Sequence, residues 1–394
     1  MDNADNNYQS SAPQKKLYSS AKEHNDTPNS ESSADQPGFG GRILSDQDNV
    51  FDFNAWDNVE PDEEYLDYAK ERISFHEQNP VPSENAAQYN SDPFKFWDSF
   101  YHKNQNKFFK DRNWFFIEFP ELFTWTKMHH NTSIEKTESD SEKNEEPSKK
   151  RSFEKETDTN TDDNADIKNA DTETPDREHL DSSPESSYNP NSNTNEDPST
   201  EGKHVILELG CGVGNSVFPL LNTIYDPRLQ VYACDYSKVA IDVLKECDWY
   251  KNDKRCEAFV WDISKDSLPS NLASSSVDTI TCIFVLSALH PKEIKTAISN
   301  MYKLLKPGGS ILFRDYGRHD LAQLRFKANR LLEPNFYIRG DGTRVFFFSN
   351  SDIVDLFSPQ FTILKNSVDK RLLVNRSRKI VMHRVWIQAK LVKK

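Results

Sequence analysis

The alternation of apolar and polar positions divides the chain into four stretches. Residues 1–37 are Asn, Ser, Asp and Gln with almost no large apolar side chain. Such a segment cannot bury enough apolar surface to offset the chain entropy lost on ordering, so a disordered tail is expected. Residues 38–128 form an aromatic-rich module, with Trp56, Trp97, Trp114 and Trp125 standing among Phe94, Phe96, Phe100, Phe108, Phe109, Phe115 and Phe116. Within it, acidic residues open a helix from Pro61 to about Glu77 that puts Tyr65, Tyr68 and Ile73 on one face, and Pro93 starts a second helix over Phe94–Lys107. Residues 129–201 return to Ser, Thr, Asn, Asp, Glu and Lys and read as a disordered acidic insert. From 202 to 394 apolar runs at 204–209, 230–234, 257–261, 278–284 and 310–315 predict strands, separated by helical stretches at 215–224, 237–248 and 291–305. That alternation predicts an α/β fold, a doubly wound and mainly parallel sheet with helices on both faces. The last strand-like runs, 343–348, 360–367 and 379–391, have little helix between the final two and predict antiparallel strands at one edge.

Composition sharpens this picture in three places. The chain of 394 residues is only 35% hydrophobic, against the roughly 45–50% of a typical globular chain, yet 12% aromatic. A folded, aromatic core diluted by polar segments accounts for both figures. The formal charge of −14 sits mostly in one place, because residues 131–200 carry 20 acidic against 8 basic residues. The acidity therefore says little about the folded surface and does not exclude a nucleic-acid partner. No run approaches about 18 apolar residues, so no membrane span is expected, and the polar start Met1-Asp2-Asn3 is unlike a secretory or transit peptide. The five cysteines show no CxxC or other metal-ligand spacing. Reduced thiols, no metal site, and a cytoplasmic protein with the nucleus as second compartment are expected.

The sharpest chemical signal is the strand His204–Leu209 running into Gly210-Cys211-Gly212-Val213-Gly214-Asn215. Glycines there let the backbone approach a ligand, and the following helix offers unpaired N–H groups. A dinucleotide fingerprint would read GxGxxG. Here the third glycine comes one residue early, Asn215 stands where that fingerprint needs glycine, and Glu208 precedes the first glycine by two. Both departures shift the reading from NAD toward S-adenosylmethionine. Asp235 ends the second strand, where a carboxylate can accept both ribose hydroxyls. Asp262 ends the third, where it can accept from an adenine amino group with Ile263 against the ring. Lys306-Pro307-Gly308-Gly309 then turns the chain into the strand at 310.

This set resembles the class I S-adenosylmethionine-dependent methyltransferases over about residues 200–394. Further strings narrow the resemblance: Phe51–Val59, Phe108–Trp114, Glu118–Leu122, Ile283–Pro291, Phe313–Gly317 and Asn335–Arg344. Together they resemble the tRNA N3-methylcytidine methyltransferases, which modify cytidine 32 of the anticodon loop, and Asn54–Val59 is most similar to the branch acting on threonine tRNA. The resemblance implies S-adenosyl-L-methionine as cofactor, held by Trp97, Tyr101, Glu208, Gly210, Gly212, Gly214, Asp235, Asp262, Ile263 and Ile283, with Trp97 and Tyr101 covering it from one helix face. It also implies a tRNA partner, with a second protein helping to select the tRNA in some relatives. Phe109, Lys110, Arg112, Arg339 and Arg344 are the expected RNA contacts. Phe109, Lys110 and Arg112 stand in the N-terminal module, whereas Arg339 and Arg344 belong to a C-terminal half rich in cations (Arg314, Arg318, Arg325, Lys327, Arg330) interleaved with Phe326, Phe336, Tyr337 and Trp386. Neutral cytosine already carries a lone pair on N3, so positioning is expected to dominate catalysis. Asp315, beside Arg314, is the expected contact to the cytosine amino group; an ion pair between these two neighbours is the competing reading. A protein N-methyltransferase and a non-catalytic RNA-binding scaffold are the alternative functions.

Overall fold

The computed structural model describes residues 41–45, 48–126, 202–265 and 267–394. The tail expected over 1–37 and the insert expected over 129–201 lie outside the described residues. In chain order the N-terminal stretch gives β1 (Ala55–Asp57), α1 (Glu63–Gln78), α2 (Ser83–Ser91), α3 (Pro93–Asn104) and the single turn α4 (Phe115–Glu118). Then come β2 (His204–Leu209), α5 (Val217–Thr223), β3 (Leu229–Asp235), α6 (Lys238–Glu246), α7 (Asp248–Asn252), β4 (Cys256–Val260), β5 (Val277–Ile283), α8 (Pro291–Leu304) and β6 (Leu305–Tyr316). The chain closes with α9 (Leu321–Leu324), β7 (Leu331–Glu333), β8 (Phe336–Ile338), β9 (Arg344–Phe346), α10 (Asn350–Phe357), β10 (Phe361–Asn375) and β11 (Ile380–Lys393).

Eight strands pair in the order β1-β10-β11-β6-β5-β2-β3-β4. From β6 to β4 all pairings are parallel, and β11, β10 and β1 add antiparallel at the other end. This is the class I methyltransferase sheet expected above. Chain order runs outward from β2 through β3 and β4 on one side, and from β5 to β6 on the other. The loops leaving β2 and β5 therefore diverge and open a crevice at the carboxyl ends of the strands. Apolar strands explain the burial: Leu207, Leu209, Ile280 and Ile311 pack under α8 and α10 on one face, while Ile206, Val231, Ala233 and Leu312 pack under α5 and α6 on the other.

Three features depart from the expected elements. Residues 343–348 do not join the main sheet. Left-handed residues at Asn335 (φ 61°) and Gly342 (φ 83°) fold β7, β8 and β9 into a separate three-stranded sheet. Ser83–Ser91 is a helix that its polar sequence hides, since it buries none of its residues. Ala55–Asp57 pairs with Arg371–Leu373 of β10, so the N-terminal module extends the main sheet.

Buried charge fastens that attachment. Arg371 lies 3.2 Å from Asp57, 2.5 Å from Glu118 and 3.0 Å from Asp369, and Arg314 lies 2.5 Å from Asp369 and 3.7 Å from Glu118. The two arginines hold the Asp369 carboxyl below its usual range despite burial.

Candidate active site

At the end of β2 the chain turns through Gly210–Asn215 before α5. Gly210 and Gly212 hold φ of 58° and 53°. A Cβ on Gly210 would lie 2.7 Å from Val285 Cγ2, and one on Gly212 2.6 Å from the Tyr101 hydroxyl. The turn therefore tolerates no side chain at either position. It opens onto a cleft of about 1350 Å3, part of it open to solvent, large enough for a nucleoside cofactor and a second base.

One end of the cleft suits a nucleoside. Gly210, Gly212, Asp235, Tyr236, Trp261, Asp262 and Ile263 line it. Asp235 accepts from the Gly212 N–H (3.0 Å) and the Ser237 N–H (2.8 Å), which ties β3 to the glycine turn. Burial pushes its carboxyl up to about 6, against the pull of those donors. Asp262 accepts from the Ser264 N–H and hydroxyl at 2.9 and 2.6 Å, leaving its second oxygen 3.6 Å from Lys265 Nζ. The α3 helix roofs this end. Its Asp98 accepts from the Ser237 hydroxyl at 2.6 Å, and Trp97 and Tyr101 lie stacked 6.0 Å apart over the turn. A cradle closed to Cβ atoms, with carboxylates at two consecutive strand ends, fits the ribose and adenine of S-adenosylmethionine.

The other end is aromatic and cationic. Phe284, at the mouth of β5, holds an αL backbone (φ 59°) that a bulky residue rarely adopts. Its ring tilts against Tyr316 at 4.9 Å, with the Arg112 guanidinium 5.6 Å away and that of Arg339 5.3 Å over Tyr316. Phe109, Lys110, Asp341 and Thr343 also line the cleft. The Arg339–Thr343 loop reaches the cleft because it belongs to the separate small sheet. Among the described residues there is no group of three or more His, Cys, Asp or Glu that could hold a metal.

A methyltransferase-domain family model matches residues 207–311, from the strand before the glycine turn into β6. Over 365 residues the chain is 41% identical to the Danio rerio protein named tRNA N(3)-cytidine methyltransferase METTL2, covering 92% of this chain and 91% of that one. It is 40% identical over 355 residues to the Schizosaccharomyces pombe tRNA N(3)-methylcytidine methyltransferase trm140, covering 90% and 92%. This chain belongs to the tRNA N(3)-cytidine methyltransferase family. It is also 37% identical over 372 residues to the Saccharomyces cerevisiae tRNA(Thr) (cytosine(32)-N(3))-methyltransferase, covering 93% of this chain and 48% of that protein.

In this S-adenosylmethionine-dependent methyltransferase the expected site residues fall into two groups. Trp97, Tyr101, Gly210, Gly212, Asp235, Asp262, Ile263, Ile283, Phe109, Lys110, Arg112 and Arg339 all line the cleft. The others do not. Gly214 faces Phe218, whose ring a Cβ would meet at 2.3 Å, so it serves the packing of α5. Glu208 is buried beneath the turn, accepting from Thr281 at 3.3 Å, and burial raises its carboxyl to about 7.

The two residues expected to be catalytic are not on the cleft wall. Alternating positions of β6 send Arg314 and Asp315 to opposite faces, so they form no ion pair. Arg314 sits in the buried charge cluster between Trp114 and Trp386. Asp315 is fully buried and spends one oxygen on the Ser287 N–H and the other on the Tyr316 N–H, both at 2.9 Å. It shapes the cleft from behind by fixing Ser287 and Tyr316. Arg344 is also buried, bonding Ala288 O, Asn90 and Glu293 at 3.2, 3.2 and 3.3 Å, which removes it from the RNA-facing set. Phe336, Tyr337 and Trp386 are core residues, not a base-contacting surface. The residues missed by the sequence reading are Phe284, Tyr316, Tyr236 and Asp341. Phe284, Tyr316 and Asp341 stood inside the strings quoted for the resemblance and Tyr236 directly follows Asp235, but their facing the cleft depends on tertiary placement.

Proposed function

We propose that this protein transfers the methyl group of S-adenosylmethionine to N3 of cytidine 32 in the anticodon loop of threonine tRNA. The observation that supports this best is the two-part cleft, in which a nucleoside cradle opens directly onto an aromatic and cationic pocket. When bound, the cofactor supplies a methyl group on a cationic sulfonium, an electrophile that neutral N3 can attack without prior loss of a proton.

The chain's own residues would act by placement. Gly210, Gly212, Asp235 and Asp262 hold the nucleoside, and Trp97 with Tyr101 exclude water above it. N3 lies on the Watson–Crick edge, so the cytidine must leave the loop stack before it can enter. Phe284 and Tyr316 offer faces for the extruded base, and their π-systems favour the cationic base that forms on methylation. Asp341 is the carboxylate placed for the exocyclic amino group. One of its oxygens takes the Thr343 N–H and hydroxyl at 2.9 and 2.7 Å, and the residue lines the cleft. Lys110, Arg112 and Arg339 meet phosphates. Cytoplasmic residence fits the five free cysteines, four of them buried.

Methyl transfer from labelled S-adenosylmethionine to threonine tRNA transcripts, carrying C32 or U32, tests the reading. Incorporation confined to C32 transcripts supports it. Equal incorporation into both, or into protein acceptors instead, overturns it.

A further inference from the structure

We infer that Asn215 is a positioning residue that locks the RNA-facing segment 108–112 onto the cofactor turn, so that cofactor and tRNA bind with positive coupling. The inference rests on the tRNA-methylation reading above and adds how its two ligands communicate.

Asn215 is the residue that takes the place of a fingerprint glycine, and it has no backbone reason to be there. Its side chain explains the choice. Nδ2 donates to the Phe109 carbonyl and to the Asp111 carboxylate, both at 3.1 Å. Its own carbonyl accepts the Arg112 N–H at 2.7 Å. Next to it, the Arg112 guanidinium donates to the Ser216 hydroxyl at 3.0 Å. Four hydrogen bonds thus run between residues 215–216 and residues 109–112. Asn215, Phe109, Lys110 and Arg112 all line the cleft that Gly210 and Gly212 also line.

Ring packing also holds the segment 108–112: Phe108 and Phe109 lie 4.8 and 5.7 Å from Phe100 of α3, and the Arg112 guanidinium 5.6 Å from Phe284. The segment is neither helix nor strand, Lys110 and Asp111 are exposed, and it follows Gln105, whose φ of 48° ends α3. Fixing the glycine turn restrains, through these four hydrogen bonds, the backbone carrying Phe109, Lys110 and Arg112. A ligand seated on Gly210 and Gly212 lowers the ordering cost that RNA would otherwise meet. Linkage requires the reverse as well, since RNA holding the segment must tighten cofactor binding by the same factor.

The test uses S-adenosylhomocysteine, which permits no turnover, and a threonine tRNA transcript. In the wild-type protein, saturating S-adenosylhomocysteine should tighten tRNA binding by about fivefold or more, and saturating tRNA should tighten S-adenosylhomocysteine binding equally. In Asn215→Ala, and in Asn215→Asp, which removes the donor and sets a carboxylate against Asp111, two of the four bonds are lost and that ratio should fall at least about twofold. Asp111→Ala, at an exposed position, should lower the ratio as well. A purely structural asparagine would weaken both affinities and the melting temperature but leave the ratio intact, which overturns the inference. So does a wild-type ratio near one in an enzyme that methylates tRNA. Absence of tRNA binding and of methyl transfer would instead take down the functional reading along with it.

Discussion

Replacing Asp235 by Asn tests the cofactor site with the smallest change of shape. Each Asp235 oxygen already accepts one backbone N–H, from Gly212 or from Ser237. One lone pair on each is left for a ribose hydroxyl. A hydrogen bond to a charged acceptor is worth roughly 1.5–3 kcal/mol and one to a neutral acceptor roughly 0.5–1.5 kcal/mol. Asn keeps one acceptor oxygen and sets an NH2, a donor, where the second stood, so one hydroxyl meets a neutral acceptor and the other loses its acceptor. The cost should be about 2–4 kcal/mol, or about 30- to 900-fold in affinity. Titration calorimetry with S-adenosylhomocysteine at pH 7.5, with a thermal melt as folding control, measures it. The carboxyl sits at about 6, so wild-type affinity should decline as pH falls below 6 and Asp235 takes a proton. The Asn variant should be flat over the same window. Unfolding through this group cannot mimic that decline. A carboxyl raised on folding contributes stability that is present at low pH and lost as pH rises through its folded value. Unchanged affinity in a folded Asn variant, or the same pH curve as wild type, would refute the assignment.

Other consequences follow from where the structure places Arg344, Arg339 and Glu208 relative to the cleft. Arg344→Ala should destabilise the protein by roughly 1–3 kcal/mol in denaturant titration, because it empties a buried guanidinium site and leaves Glu293 and two half-buried acceptors without this partner. Arg339→Ala should leave stability and S-adenosylhomocysteine affinity unchanged, weaken tRNA binding several-fold, and reduce the slope of log affinity against log salt by about one. Glu208→Gln should be more stable than wild type above pH 7, by up to about 3 kcal/mol, with the difference vanishing near pH 4.5. The sign follows from burial, which raises the folded carboxyl from 4.5 to about 7, so wild type loses stability as pH rises through that interval. A difference that grows toward acid would contradict it.

The sheet was legible because parallel strands buried on both faces read as apolar runs, and the runs at 204–209 and 230–234 mark β2 and β3 closely. The nucleoside end was legible for a related reason. Glycines and carboxylates at strand ends act through the backbone and through position in the strand order, and both are written locally. The acceptor end was not. Arg314 and Asp315 look alike as charged residues in a short motif, and only the pairing of β6 with β5 and β11 shows that each is buried on its own side. Arg344 and Arg339 are five residues apart in one basic stretch. The small sheet turns the first into the core against Asn90 and leaves the second beside Tyr316. Ala55–Asp57 escaped notice because three residues carry no period, and their pairing with β10 depends on residues more than 300 positions away.

The most direct test of the central claim is nucleoside mass spectrometry on threonine tRNA purified from cells with and without this protein. The account predicts that 3-methylcytidine at position 32 disappears from threonine tRNA in the absence of the protein and returns with the wild-type chain but not with Asp235→Asn. Full 3-methylcytidine at that position in cells lacking the protein would contradict it.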